Sequence, residues 1–464
     1  MGVGAAALET IDFSGRPFHF IGVGGIGMSA IAHILVRQGF TVSGSDTSCN
    51  GVTTRLEQLG VKVFQGHSRA HINPVDAPQV VCSTAISPDN EELQAALNYK
   101  LPVWHRSDLL AALIDQFQSI AVAGTHGKTT TSSLIAYLLL EAGLDPTIVI
   151  GGEVNAWQGN ARLGSSNYLV AEADESDGSF VKFRPKIGVV TNIELDHPDF
   201  YRDLEQVIGV FQRFAQGCRK LVACIDDLNV TTRLQPHLTY SLHNSAASYY
   251  ATEIEFKSTH TQALIWEHGQ PLGQICLKIL GAHNLSNALA AIAVSRHLGI
   301  DWQRIAAALP NFIGAKRRFE LRGVVNRISL IDDYAHHPSE IRATLTTAKL
   351  QSQGRVVAIF QPHRYSRTAK FLAEFGCCFD QADVVVITDI YSAGEANPTG
   401  LSGAEVVEAI AQHHHQVYYQ PHFNQLLEFL ARQLQPQDLA IFLGAGNLNS
   451  IIPDLATMLS VDDS

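Results

Sequence analysis

The sequence predicts an α/β protein assembled from strand–turn–helix units, and three observations carry that prediction. Two glycine-rich turns, Gly22–Gly27 and Gly124–Gly127, each follow a short apolar run and precede a helical stretch. From near Phe312 onward, apolar strands alternate with helical segments in the pattern of a small parallel sheet. At 464 residues the chain is too long for one hydrophobic core, so about two to four domains are expected.

In the first segment the run Phe18–Val23 enters the glycine turn, and the helix that follows presents Ile31, Ile34 and Leu35 on one face before Gly39 stops it. A second strand, Thr41–Ser45, ends at Asp46, and strand-like pieces near Val80–Ser83 and Val103-Trp104 carry the pattern to about residue 108. The second segment restarts at Ile120–Ala123, with a helix through Leu134, Ile135 and Leu138 to Gly143 and strands at Tyr168–Ala171 and Ile187–Val190. Between residues 245 and 280, short alternating runs broken at Glu267-His268-Gly269 and Pro271 predict antiparallel hairpins. An Ala-rich helix from Asn284 to His297 closes that segment. The third carries strands at Val356–Phe360, Val384–Ile387 and Leu439–Leu443. Divisions near 108 and 313 give segments 1–108, 109–313 and 314–464.

Composition narrows the function. A net charge of −11 argues against nucleic acid or an anionic membrane as the principal partner. No apolar run approaches the roughly 18 residues of a membrane span, and Met1–Thr10 has no basic segment leading into an apolar one, so no membrane insertion and a cytoplasmic location are expected. Ala6 stands where a myristoylation motif needs Ser or Thr. Seven cysteines without a CxxC pair read as reduced thiols.

The motifs then add chemistry. Gly22-Val23-Gly24-Gly25-Ile26-Gly27 fits a phosphate-cradling turn, with Asp46 ending the next strand. A dinucleotide, another anionic nucleotide, or a turn needing glycine for packing alone all fit it. Gly124-Thr125-His126-Gly127-Lys128-Thr129-Thr130 is more specific, because a P-loop puts its lysine on terminal phosphates and its threonine toward Mg²⁺. It departs from the usual spacing, with Val122 where the first glycine belongs. Glu172-Ala173-Asp174-Glu175-Ser176-Asp177 follows a strand and suits a hard cation, or else a solvated acidic loop. Asn192–Pro198, containing Asp196-His197, follows another strand, and His197 is a metal, phosphate or structural residue. His283, Asn284 and Asn287 begin the Ala-rich helix, where capping is the simple explanation. Lys316-Arg317-Arg318 is a solvated patch or a phosphate clamp. In Gln361–Arg367, the forks of Arg364 and Arg367 suit a carboxylate. His413-His414-His415 reads as surface, in a polar helical stretch.

Taken in order, Gly24–Ser29, Gly124–Thr129, Asp333–Pro338 and Gln361–Arg367 resemble the Mur ligases, which build the peptide of bacterial peptidoglycan precursors. The resemblance runs from about Phe18 to Asn449, and the first glycine loop with the last two motifs narrows it to the alanine-adding branch. It implies three domains: an N-terminal Rossmann-like one for a UDP-sugar, a central P-loop ATPase whose mostly parallel sheet carries a small antiparallel part, and a C-terminal Rossmann-like one for an amino acid. The implied substrates are UDP-N-acetylmuramate, L-alanine and ATP, with Mg²⁺ or Mn²⁺ as cofactor, and the protein is a monomer or homodimer. A recycled murein tripeptide is the alternative amine.

The same resemblance implies site roles. Gly22, Gly24, Gly25, Gly27, Asp46, Ser83, Thr84 and Arg106 would hold the UDP-sugar. Gly124, Thr125, His126, Gly127, Lys128, Thr129, Thr130, His283, Asn284, Asn287 and Arg318 would hold ATP, and Thr129, Glu172 and His197 the metal. Tyr334, His336, Arg364 and Arg367 would surround the amino acid, while Lys128, His197, Asn284, Asn287, Arg318, Asp333 and His336 form the catalytic set. Closure of the C-terminal domain on its substrates is implied as well.

Overall fold

The computed structural model describes residues 10–461, so the readings made on residues 1–9 lie outside it. Three α/β sheets follow one another along the chain. The first contains five parallel strands, β1 (Phe18–Ile21), β2 (Val42–Asp46), β3 (Lys62–Gln65), β4 (Gln79–Cys82) and β5 (Val103–His105), ordered β3-β2-β1-β4-β5. Strand order reverses between β1 and β4, and a doubly wound sheet takes ligands in the crevice outside the carboxyl ends at that switch. The helix Ile26–Arg37 buries Met28, Ile31, Ile34 and Leu35, and Gly39 (φ +95°) follows its end.

The central sheet has ten strands: β6 (Gln118–Ala123), β7 (Thr147–Val154), β8 (Gly159–Arg162), β9 (Tyr168–Glu172), β10 (Ile187–Val190), β11 (Lys220–Cys224), β12 (Leu238–Ser241), β13 (Tyr249–Phe256), β14 (Thr261–Glu267) and β15 (Gln270–Leu277). Their order is β15-β14-β13-β12-β11-β10-β6-β9-β7-β8. The middle is parallel, and β13–β15 form the antiparallel hairpins expected from the alternating sequence. Two helices, Lys128–Glu141 and Ala282–His297, pack on each other and are buried on nearly every face. Their Ala, Ser and Thr content lets the two backbones approach closely without leaving voids.

The third sheet contains β16 (Glu320–Val325), β17 (Ile328–Asp333), β18 (Val356–Phe360), β19 (Val384–Ile387), β20 (Val417–Tyr419) and β21 (Leu439–Leu443), ordered β16-β17-β21-β18-β19-β20. It is parallel except for β16, which pairs antiparallel with β17. This segment therefore opens with a hairpin rather than a strand–turn–helix unit. β16 leaves Leu321 and Val324 exposed, so it lacks the continuous apolar run of a buried parallel strand.

The helix Arg106–Gln116 packs against β4 and β5 and also against β6, so a division near residue 108 falls within an element shared by two sheets. His413–His415 lies in the turn after the helix Gly403–Ala411, not in a helix, and the His414 ring reaches the Ala382 carbonyl at 2.9 Å. No helix among the described residues is long and apolar enough to cross a membrane. All seven cysteines are free thiols.

Candidate active site

The loops after β1, β4, β6, β9, β10, β17 and β18 face a common cleft of about 1070 Å³. Gly27, Thr84 and Arg106 line it from the first sheet; Thr125, Gly127, Lys128, Thr129, Glu172 and His197 line it from the second. The third contributes Tyr334, His336, Arg364 and Arg367, with Arg318 just ahead of β16.

The P-loop geometry depends on two glycines with positive φ, Gly124 (+143°) and Gly127 (+82°). A Cβ on Gly124 would collide with Thr191 Oγ1, and one on Gly127 would lie 2.5 Å from Asn287 Oδ1. Gly124→Ala and Gly127→Ala are each expected to cost about 1–3 kcal/mol of stability from strain and overpacking and to abolish tight nucleotide binding. Urea midpoints and nucleotide titration check both effects.

Lys128 Nζ donates to the carbonyls of Gly124 (2.7 Å) and Thr125 (3.0 Å) and lies 2.9 and 2.7 Å from the two oxygens of Glu175. Burial alone would depress this ammonium, but Glu175, Glu172 and Asp174 outweigh it and hold its pKa above the usual lysine value. Thr129 Oγ1 lies 3.2 and 3.0 Å from the Glu172 oxygens, and Glu172 Oε2 also accepts from the Gly151 amide at 2.8 Å. Burial raises the Glu172 pKa despite Lys128 nearby. A half-buried carboxylate beside the P-loop threonine hydroxyl is an oxygen donor set suited to Mg²⁺.

His197 (φ +54°) and Arg364 (φ +69°) both hold the left-handed backbone region, a strain that clusters at functional loops. His197 Nε2 stands 3.6 Å from Glu175 and 3.7 Å from Asp196. Burial opposes its charge, but those two carboxylates prevail and raise its pKa. Asp196 is gripped by both arms of Arg367, at 2.8 and 3.2 Å, with both side chains buried. Arg364 pairs with Asp199 (2.7 Å) and Glu395 (3.2 Å) and remains about one-third exposed. His336 Nδ1 bonds the Tyr334 carbonyl at 3.0 Å; burial lowers its pKa to about 3, against the pull of Glu340, so the ring is neutral.

Asp333 accepts from the Phe319 (2.7 Å) and Ala335 (2.8 Å) amides, and burial raises its pKa to about 6. The Arg318 guanidinium lies over the Tyr334 ring, 5.1 Å from its centroid. In the same basic run, Lys316 pairs with Glu153 while staying exposed, and Arg317 pairs with Asp332 and the Gly444 carbonyl. Asn284 and Asn287 are not caps: the N-cap of their helix is Gly281. Instead Asn287 Oδ1 accepts from Thr131 of the P-loop helix at 3.1 Å, and its amide reaches Asn284. Desolvation at the domain junction and the Arg318 charge together lower the His283 pKa to about 4, although the residue stays exposed to solvent.

In the first sheet the Gly24 amide donates to Asp46 Oδ2 at 2.9 Å, and a Cβ on Gly27 would lie 2.9 Å from Arg106 Nη1. Arg106 crosses to Asp174 at 2.8 Å, linking the first sheet's loops to the central acidic motif. Gly22, Gly24, Gly25, Asp46 and Ser83 do not line this cleft. Sequence reasoning did not assign Glu175, Asp196, Asp199, Glu340 or Glu395. The first two lie inside acidic motifs that did draw notice; the others become visible only as counter-ions in the fold.

Sequence models of three consecutive domains match the chain: "Mur ligase family, catalytic domain" over residues 17–118, "Mur ligase middle domain" over 122–295 and "Mur ligase, glutamate ligase domain" over 317–446. A protein of Thermosynechococcus vestitus named UDP-N-acetylmuramate–L-alanine ligase is 58% identical, covering 96% of each chain. One of the same name from Nostoc punctiforme is 56% identical over 97% of this chain and 98% of its own. Among solved structures, UDP-N-acetylmuramate-alanine ligase from Thermotoga maritima superposes with a TM-score of 0.83 at 28% identity, covering 96% of this chain and all of that one. A murein peptide ligase from Psychrobacter arcticus gives 0.72 at 26% identity, over 96% and 99%.

Proposed function

The chain belongs to the Mur ligase family, and from that membership we propose how the cleft divides the chemistry among its residues. The protein is an ATP-dependent ligase that joins L-alanine to the carboxylate of UDP-N-acetylmuramate in peptidoglycan synthesis. The observation that carries the division of labour is the convergence on one cleft of the P-loop, the Thr129–Glu172 pair and the Arg364/Arg367 loop.

A carboxylate is a poor electrophile, so it first attacks the γ-phosphorus of ATP, expelling ADP and leaving an acyl phosphate. The alanine amine then attacks the acyl carbon, and the tetrahedral intermediate expels phosphate to leave the amide. Aligning three substrates and neutralising phosphoryl charge supplies most of the rate. Lys128 exchanges Glu175 for the β- and γ-phosphates, while the amides of Gly124–Thr130 cradle them. His283, Asn284 and Asn287 border the nucleotide from the neighbouring helix. Thr129 and Glu172 would hold Mg²⁺ or Mn²⁺, with His197 the weaker candidate, because imidazole is a softer ligand than that ion prefers. Such an ion would supply positive charge to offset that of the phosphates.

The turn Gly22–Gly27, shaped by the Gly24–Asp46 bond, cradles the UDP diphosphate, with Ser83, Thr84 and Arg106 on its other side. Arg318 and Asp333 join the nucleotide to the third domain. Arg364, held only by exchangeable partners, takes the alanine carboxylate; Arg367, already satisfied by Asp196, orients the loop that presents it. A neutral His336 positions the amine beside Tyr334 instead of taking its proton. The contacts that dock the third domain on the P-loop and on Glu194–Asp196 are those of the closed arrangement.

Phosphate release tests the substrate assignment, measured with ATP, Mg²⁺ and UDP-N-acetylmuramate plus L-alanine, murein tripeptide or neither. Release is expected with L-alanine alone, with a product heavier by one alanyl residue. Release with tripeptide only would overturn it.

A further inference from the structure

Beside the substrate cleft, the P-loop meets the third domain through a cluster whose side chains the proposed division of the ligase chemistry leaves without a role. His126 Nδ1 lies 3.1 Å from Glu340 Oε1, which directs Nε2 at Glu194 Oε2, 3.4 Å away. That Nε2 is buried and has no hydrogen-bond partner. His337, the N-cap of the helix Pro338–Gln351, donates from Nε2 to the Leu195 carbonyl at 3.2 Å, which leaves Nδ1 facing the same Glu194 oxygen at 3.8 Å. In the helix cap Nδ1 accepts from the Ser339 amide at 3.3 Å and faces the Glu340 amide as well, contacts that an ion at Nδ1 replaces. Ser339 Oγ steadies Glu194 Oε2 at 2.7 Å. One ligand atom from each of His126, Glu194 and His337 lies within 4.8 Å of the other two.

Zn²⁺ takes imidazole nitrogens and carboxylate oxygens at about 2.0–2.1 Å in a tetrahedron, which sets ligand atoms about 3.4 Å apart. The His126–Glu194 spacing already meets that figure, and His337 Nδ1, 3.8 Å from the same Glu194 oxygen and within 4.8 Å of His126, has to move inward to complete the set. Each imidazole also has its remote nitrogen tied to an acceptor, Glu340 for one and a carbonyl for the other. That is the outer-shell arrangement which fixes tautomer and ring orientation in zinc sites. Two imidazoles select for zinc-class ions over Mg²⁺, so this cluster is chemically distinct from the Thr129–Glu172 pair. Burial works against charge on His126, but Glu340 and Glu194 overcome it and raise its pKa to about 10, so an ion bound here displaces a proton.

We infer that His126, Glu194 and His337 form a three-ligand site for a zinc-class divalent ion that ties the P-loop to the C-terminal domain. The fourth position is open to water. The bound ion replaces the His126 proton and bridges two domains, so it holds the docked arrangement and slows its opening. This goes beyond the ligase reading and does not depend on turnover.

The test uses the full chain carrying His413→Ala and His415→Ala, which removes the exposed histidine run, dialysed against Zn²⁺ in excess Mg²⁺. One equivalent of Zn²⁺ is expected to bind, and Glu194→Gln or His337→Ala each to weaken it tenfold or more. Crystals of the unaltered chain grown with Zn²⁺ are expected to show an anomalous peak between the three ligand atoms. That second measurement stands even if His337→Ala fails to fold. An equivalent retained at full affinity in both variants, or no peak among these residues, would overturn the site.

Discussion

Replacing Lys128 by alanine is expected to lower the rate of ADP formation by a factor of at least about 10²–10³, the usual cost of removing one preorganised group from a charge-developing centre. The same change leaves Glu175 buried and without its partner, since its carboxylate is 2% exposed in the pair. Breaking a buried ion pair from one side costs about 3 kcal/mol or more, and His197, 3.6 Å away, offsets part of it. The two effects separate experimentally. Lys128→Ala combined with Glu175→Gln is expected to regain most of the urea midpoint and none of the turnover. Turnover surviving in Lys128→Ala would remove the lysine from the phosphoryl-transfer account.

The second large effect concerns two arginines that look alike in sequence and differ in surroundings. Arg367 is 3% exposed and forks onto Asp196, 5% exposed. Arg367→Ala is therefore expected to destabilise the protein by about 3–5 kcal/mol, because it strands a buried carboxylate next to His197. Arg367→Lys recovers only part, since an ammonium does not reproduce the bidentate fork. Arg364 is paired with Asp199 and Glu395 in a more open setting. Arg364→Ala is expected to shift stability by under about 1 kcal/mol while raising the KM for L-alanine at least tenfold. Thermal unfolding and alanine-dependent kinetics distinguish the pair. Equal loss of stability in both variants would contradict the roles assigned to them.

How much of this was readable in advance follows from where each feature gets its stability. Ile187–Val190, Val356–Phe360, Val384–Ile387 and Leu439–Leu443 appear with the bounds their apolar runs predict, because buried parallel strands need such runs. β16 escaped notice because an exposed edge strand imposes no such pattern. The P-loop, the acid after β9 and the Asp196-His197 loop were legible because α/β sheets place ligands at strand ends. Their counter-ions were not. His126 and Glu340 are 214 residues apart, and Arg367 and Asp196 171 apart, so only the packed fold brings them together. Asn284 shows the reverse error: Asn near a helix start favours capping, yet Gly281 holds that position and the asparagine side chain turns inward.

The central claim is that the muramoyl carboxylate is phosphorylated before the amide forms. The most direct measurement labels that carboxylate with ¹⁸O, runs the reaction with ATP and L-alanine, and weighs the phosphate released. The acyl-phosphate route predicts transfer of one carboxylate oxygen to each phosphate molecule. Unlabelled phosphate, with both heavy atoms accounted for elsewhere, would contradict it.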